Sequence, residues 1–153
     1  TFAYPILRHP WAPTTWGGGA YPTQIDPALM AYGLEPTAEN LQRLHRVADL
    51  TLGVNPLNFS WITGLGDNPI VGPAHLYGWS TYQGLMPPGL QSEGPNQADF
   101  ESWFPDNIPD VSETPTMYSY YDVRYCIGLN EGIVTTMAKT AMLFAALLPN
   151  QDN

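Results

Sequence analysis

Apolar positions recur at helical spacing over residues 38–52, where Leu41, Leu44, Ala48 and Leu52 fall on one stripe. Thr37 is a good N-cap, Glu39 suits the first turn and Gly53 supplies a left-handed stop, so a helix is predicted over 38–52. A shorter helix is predicted from about Asp26 to Tyr32, with Asp26 as cap and Pro27 at the first helical position. A last helix is expected to start at Asn130 or Glu131 and to end before Pro149. It is apolar around most of its circumference, which predicts burial on most sides. Residues 1–24 read as loop, rich in Pro, Gly and Trp.

Between Val54 and Asn130 helix signals nearly vanish. Phe59 to Thr63 reads as a short extended piece, and Pro69, Pro73, Pro87, Pro88, Pro95, Pro105, Pro109 and Pro115 break the rest. A loop region of this size with so many aromatics (Tyr77, Trp79, Tyr82, Phe100, Trp103, Phe104) is expected to be ordered and functional. Two or three helices cannot surround the last one. The expectation is a single segment, 1–153, belonging to a larger helical fold or completed by another chain.

Composition narrows the function classes. The chain of 153 residues has 44% hydrophobic and only 12% charged residues, enough apolar material for a core. Fourteen acids against five bases give a net charge of -9, which repels phosphate backbones and argues against nucleic acid. A neutral polysaccharide is not repelled. Cys126 is the single cysteine, so no internal disulfide forms. His9, His45 and His75 fit no metal-ligand spacing, and no motif indicates calcium or any other cofactor. His45 lies between two arginines and is predicted at the surface. The run Ile133–Leu148 contains Lys139 and is too short to span a bilayer. No signal peptide opens the chain at Thr1, as expected of a mature or clipped protein. The sequon Asn58-Phe59-Ser60 permits glycosylation in a eukaryotic secretory route. No G-x-S-x-G, Walker loop or dinucleotide fingerprint is present.

Three stretches, in order, resemble family 9 glycoside hydrolases. Leu52-Gly53-Val54-Asn55-Pro56-Leu57-Asn58-Phe59-Ser60-Trp61-Ile62-Thr63-Gly64-Leu65-Gly66 is similar to the family's LGxNPxxxSFVTGxG passage. Pro73-Ala74-His75, then Pro87-Pro88-Gly89-Leu90 and Gly94-Pro95-Asn96, resembles a P-x-H … PPG … GP loop. Tyr120-Tyr121-Asp122, followed by Asn130-Glu131, resembles the second active-site signature. Upstream, Trp16-Gly17 sits where the family places a W-G-S-N segment. The sequence departs from the pattern where an arginine usually follows the histidine, and here reads Leu76-Tyr77-Gly78-Trp79. It departs again after the glutamate, at Ile133 and Met137, and nothing resembles the family's N-terminal D-A-G-D aspartate pair.

The resemblance implies an all-α chain, part of an (α/α)6 barrel, corresponding to the C-terminal portion of a cellulase-type catalytic domain. It implies hydrolysis of β-1,4-glucan or a related β-glycan, outside the cell or in the periplasm, with the base supplied from outside this chain. Inversion requires two carboxyls on opposite faces of the sugar, roughly 6.5–9.5 Å apart. By the resemblance Glu131 is the proton donor, opening the last helix, and Asp122 its supporting group. From the residues alone, Glu131 reads first as a first-turn helix acid, the commonest reason for glutamate there. Burial in a dry pocket would favour its neutral form and a helix N-terminus its carboxylate. Asp122 reads alternatively as a turn residue paired with Arg124. His75 is a candidate donor to a sugar hydroxyl, and Trp16, Trp61, Tyr77, Trp79, Tyr82 and Trp103 are candidates for stacking on a sugar face. A rival expectation is a non-catalytic carbohydrate-binding or structural protein that keeps the scaffold; the absent aspartate pair, Trp79 and Met137 favour it.

Overall fold

The structure, a computed structural model, describes residues 22–81, 86–95, 113, 115 and 118–148. Among these, helices α1 (Pro22–Leu34), α2 (Ala38–Thr51), α3 (Leu76–Thr81), α4 (Ile127–Asn130) and α5 (Val134–Leu147) follow in order. No β-strand is present among the described residues; single bridges pair Ser60 with Pro69 and Ile62 with Gln91, within the piece predicted as extended.

The predicted start of α2 holds. Thr37 has extended backbone, and its side-chain oxygen accepts from the Asn40 amide at 3.2 Å. Gly53, at φ +128°, follows the helix as its left-handed stop. The stripe differs slightly. Leu44, Val47, Ala48 and Leu50 are buried, but Leu52 lies past the helix end and is exposed. Asn40 also ties α1 to α2, its amide donating to the carbonyls of Ala31 (3.2 Å) and Glu35 (2.9 Å). Both carbonyls also accept backbone amides, Ala31 from Glu35 at 2.9 Å and Glu35 from Thr37 at 2.7 Å, so Asn40 uses their second lone pairs.

The first helix is longer than predicted. Pro27 sits inside α1, not at its first position, and Asp26 is not a cap but an ion-pair partner of Lys139 on α5 at 2.5 Å. Packing against α2 and α5 overrides the helix-starting signal of Asp-Pro. Ile25, Ala28, Leu44, Val47, Ala48 and Leu143 form the core between these three helices.

The final helix also differs from expectation. The helix is interrupted at Glu131, Gly132 and Ile133, which separate α4 from α5. Only Thr136, Thr140 and Leu143 of α5 are buried, so the helix is covered on one side instead of most. Val134, Met142 and Leu148 are 77%, 61% and 69% exposed, an apolar face without a neighbour among the described residues.

A second core carries the loops. Leu50, from the last turn of α2, packs with Trp61, Ile70, Tyr120, Cys126 and Leu129. Asn55 organises the entry into this region. Its amide nitrogen donates to the carbonyls of Leu50 (2.9 Å) and Phe59 (2.7 Å), and its oxygen accepts from the amides of Leu57 (3.2 Å) and Phe59 (3.3 Å). A buried side chain that uses both ends of its amide in this way fixes a turn that proline alone could not.

Candidate active site

Three loop segments converge on the Asn130–Glu131 peptide, and backbone hydrogen bonds hold them there. From the first, the Ala74 amide donates to the Asn130 carbonyl at 2.9 Å. From the second, Glu93 donates to the Glu131 carbonyl (2.9 Å) and Gly94 to the Leu129 carbonyl (3.0 Å). The third is the 118–133 segment itself. Its approach to the second segment is close: a Cβ at Gly132 would lie 2.7 Å from the Gln91 carbonyl oxygen.

Glu131 does not open the last helix. It is the C-cap of α4, with extended backbone (φ -65°, ψ 137°), and its amide donates to Ile127. Gly132 and Ile133 stand between it and α5, so the expected first-turn position is corrected. The reason is local: the close contact of Gly132 with Gln91 requires a bare, extended link where the apolar pattern alone suggested continuous helix. The side chain of Glu131 is half-buried.

Asn130, fully buried, is the anchor beneath it. Its amide donates to the carbonyls of Tyr121 (2.6 Å), Val123 (3.0 Å) and Cys126 (3.2 Å), and its oxygen accepts from the Tyr120 hydroxyl at 2.5 Å. The Tyr120 hydroxyl also lies 3.4 Å from Ser92 Oγ and 3.5 Å from Asp122 Oδ1. Burial pushes the Tyr120 pKa well above its usual value, and the nearby Asp122 charge adds to the rise. Tyr120 therefore acts as a neutral donor.

Asp122 does not pair with Arg124. Its two carboxylate oxygens accept from the backbone amides of Val71 (2.8 Å) and Gly72 (2.7 Å), some fifty residues away in sequence. A Cβ at Gly72 would come within 2.6 Å of the Asp122 carbonyl oxygen, so this approach needs glycine. Asp122 thus fastens the segment that leads to His75. The His75 ring Nδ1 accepts from the Gly78 amide at 2.9 Å. With Nδ1 occupied as an acceptor, the neutral ring carries its proton on Nε2, a donor for a ligand oxygen.

Trp61 is corrected from a sugar contact to a core residue. It has no exposed surface and packs edge-on against Tyr120, with ring centroids 4.7 Å apart. Tyr77 is 60% exposed on α3, while Trp79 is half-buried with the Arg124 guanidinium carbon 5.1 Å from its ring centroid. Trp16, Trp103 and Tyr82 lie outside the described residues. His45 is exposed as predicted. Helix α3 itself was not expected from sequence; six residues containing a glycine carry no periodic signal.

Among the described residues no cluster of metal-binding side chains occurs, and no helix is long and apolar enough to cross a membrane. A surface cavity of about 480 Å³ is lined by Asp49, Leu52, Gly53, Val54, Asn55, Asn58, Asp67 and Asn68, and shares no residue with the site at Glu131.

No family model and no curated protein matches the sequence. Solved structures do. A metagenome-derived glycoside hydrolase family 9 endoglucanase is 29% identical at a TM-score of 0.64, covering 85% of this chain and 23% of its own. A single-mutant thermostable endoglucanase from Alicyclobacillus acidocaldarius is 25% identical at a TM-score of 0.72, covering 87% and 25%. A Bacteroides ovatus GH9 protein, 24% identical at a TM-score of 0.67, shares the fold over 84% of this chain and 20% of its own. The chain therefore spans about a quarter or less of the length of these neighbours. By motif and by structure together, the chain resembles the family 9 glycoside hydrolases; its described residues are all-α and share the fold of part of their (α/α)6 barrel.

Proposed function

We propose that this chain is the C-terminal portion of a secreted glycoside hydrolase that cuts β-1,4-glucan or a related β-glycan with inversion. The observation that carries the reading is the junction at Asn130–Glu131. There the histidine loop, the Gln91–Gly94 segment and the Asp122 segment are fastened around one half-buried carboxyl. The likeness to endoglucanases supports the substrate class, as does the neighbour AaCel9A, solved with a cellobiose-like isofagomine.

In this reading Glu131 hands a proton to the bridging oxygen of the bound glycan. Asp122 is a positioning residue: by holding the amides of Val71 and Gly72 it sets where His75 stands. The Nε2–H of His75 donates to a sugar hydroxyl. Tyr77 offers an exposed ring to the apolar face of a sugar. The base that activates water comes from sequence outside this chain or from a second chain, which also covers the bare face of α5. An insoluble polymer is met outside the cell or in the periplasm.

The test uses the full-length polypeptide. Glu131→Gln is expected to lower sugar release from β-glucan by about 10²–10⁴-fold, the usual contribution of a general acid. The first product seen by NMR should be the α-anomer. Undiminished release by the variant defeats the assignment of Glu131, and a first product of β configuration defeats inversion.

A further inference from the structure

We propose that Arg124 is a sugar-binding residue, its guanidinium held against the rings of Trp79 and Tyr125 so that its free N–H groups donate to adjacent hydroxyls of a neutral β-glucan. This rests on the glycan-binding reading above and adds to it a contact that the sequence pattern did not single out.

The guanidinium carbon lies 5.1 Å from the Trp79 ring centroid and 4.7 Å from that of Tyr125, and one terminal nitrogen donates to the Tyr125 hydroxyl. These contacts hold a long side chain that would otherwise lose much rotamer freedom on binding. The position also matters. Arg124 lies two residues beyond Asp122, and the amide of Trp79 donates to the His75 carbonyl at 3.2 Å. The pair therefore bridges the two segments that carry the candidate groups.

Charge makes the side chain stand out. Arg43 pairs with Glu39, Lys139 pairs with Asp26, and Arg46 donates to Gln42. Arg124, exposed, has no carboxylate partner among the described residues, in a chain with 14 acids and 5 bases. A planar cation prealigned on an aromatic surface is suited to bind a pair of neighbouring oxygens. Tyr125, 62% exposed and in contact with the guanidinium, supplies ring surface for the apolar face of a pyranose, and Tyr77, 60% exposed, lies on the same helix as Trp79. The net charge of -9 disfavours a polyanion, so neutral hydroxyls are the fitting oxygens.

The experiment is calorimetric titration of cellohexaose into the full-length polypeptide carrying Glu131→Gln to prevent turnover. Arg124→Ala and Arg124→Lys should each weaken binding about tenfold, because an ammonium lacks the planar fork. Circular dichroism should show both variants folded. Affinity within twofold of the parent in Arg124→Ala, with Tyr77→Ala weakened, overturns the role of Arg124 alone. Full affinity in Arg124→Lys overturns the fork and leaves only charge. A hexamer oxidised to uronic acids that binds more tightly than cellohexaose, with the gain lost in Arg124→Ala, overturns the preference for neutral glucan. No binding of cellohexaose by the parent overturns this proposal together with the reading on which it rests.

Discussion

Tyr120 shows how a single buried group sets both geometry and pH range. Its hydroxyl supports Asn130 directly beneath Glu131, and burial raises its pKa well above the usual tyrosine value of 10.0. Burial likewise raises the Cys126 thiol from its usual 9.0. A raised folded-state pKa contributes stability that is complete below the unfolded value and is lost as pH climbs above it. Stability should therefore be flat from neutrality to about pH 9 and fall beyond it. Tyr120→Phe should cost about 1–2 kcal/mol at pH 7 by losing the hydrogen bond to Asn130. It should also show a shallower alkaline decline. Urea denaturation across pH checks both; an equally steep decline in the variant contradicts the account. Glu131 and Asp122 became candidates through the resemblance of Tyr120-Tyr121-Asp122 and Asn130-Glu131 to the second active-site signature. What held them was not legible in the sequence, because the amides of Val71 and Gly72 lie far away along the chain. Trp61 was misread for a related reason: composition does not tell a core tryptophan from a surface one.

Among the elements, α2 was legible because its signals are local: Thr37 as cap, one apolar stripe, Gly53 as stop. The break between α4 and α5 was not, since it depends on Gly132 meeting the backbone of Gln91. Two elements with opposite demands meet there. The apolar pattern favours continued helix, while the contact with the Gln91–Gly94 segment requires extended chain. Gly132→Ala should cost about 1–3 kcal/mol by crowding backbone that cannot move aside. It should also displace Glu131 and reduce sugar release from the full-length polypeptide more than the stability loss explains. Normal release from a correctly folded Gly132→Ala protein would show that this link does not position the carboxyl.

At the scale of the whole molecule, the helices meet through α1, α2 and α5, while the site is carried by loops on a separate core. The outward side of α5 is apolar: Val134, Ala138, Ala141, Met142, Ala145 and Leu148 are all exposed. A fold that spans a quarter or less of its neighbours' length accounts for this face if the rest of the barrel covers it. Met142→Asp should then change the stability of this chain alone by no more than about 0.5 kcal/mol. In the full-length polypeptide it should cost about 2 kcal/mol or more, from a charge forced into an apolar contact. Equal effects in both would mean that nothing packs on α5. The sequence leads to the same expectation of outside neighbours, from too few helices around an apolar one.

The central claim is that Glu131 donates a proton to the leaving oxygen, and leaving-group dependence tests it most directly. Hydrolysis by the full-length Glu131→Gln variant should be compared on cellohexaose and on 2,4-dinitrophenyl β-cellobioside, whose phenolate departs without protonation. Activity on cellohexaose should collapse while activity on the dinitrophenyl glycoside largely survives. A loss of equal size on both substrates, or no loss on cellohexaose, would contradict the account.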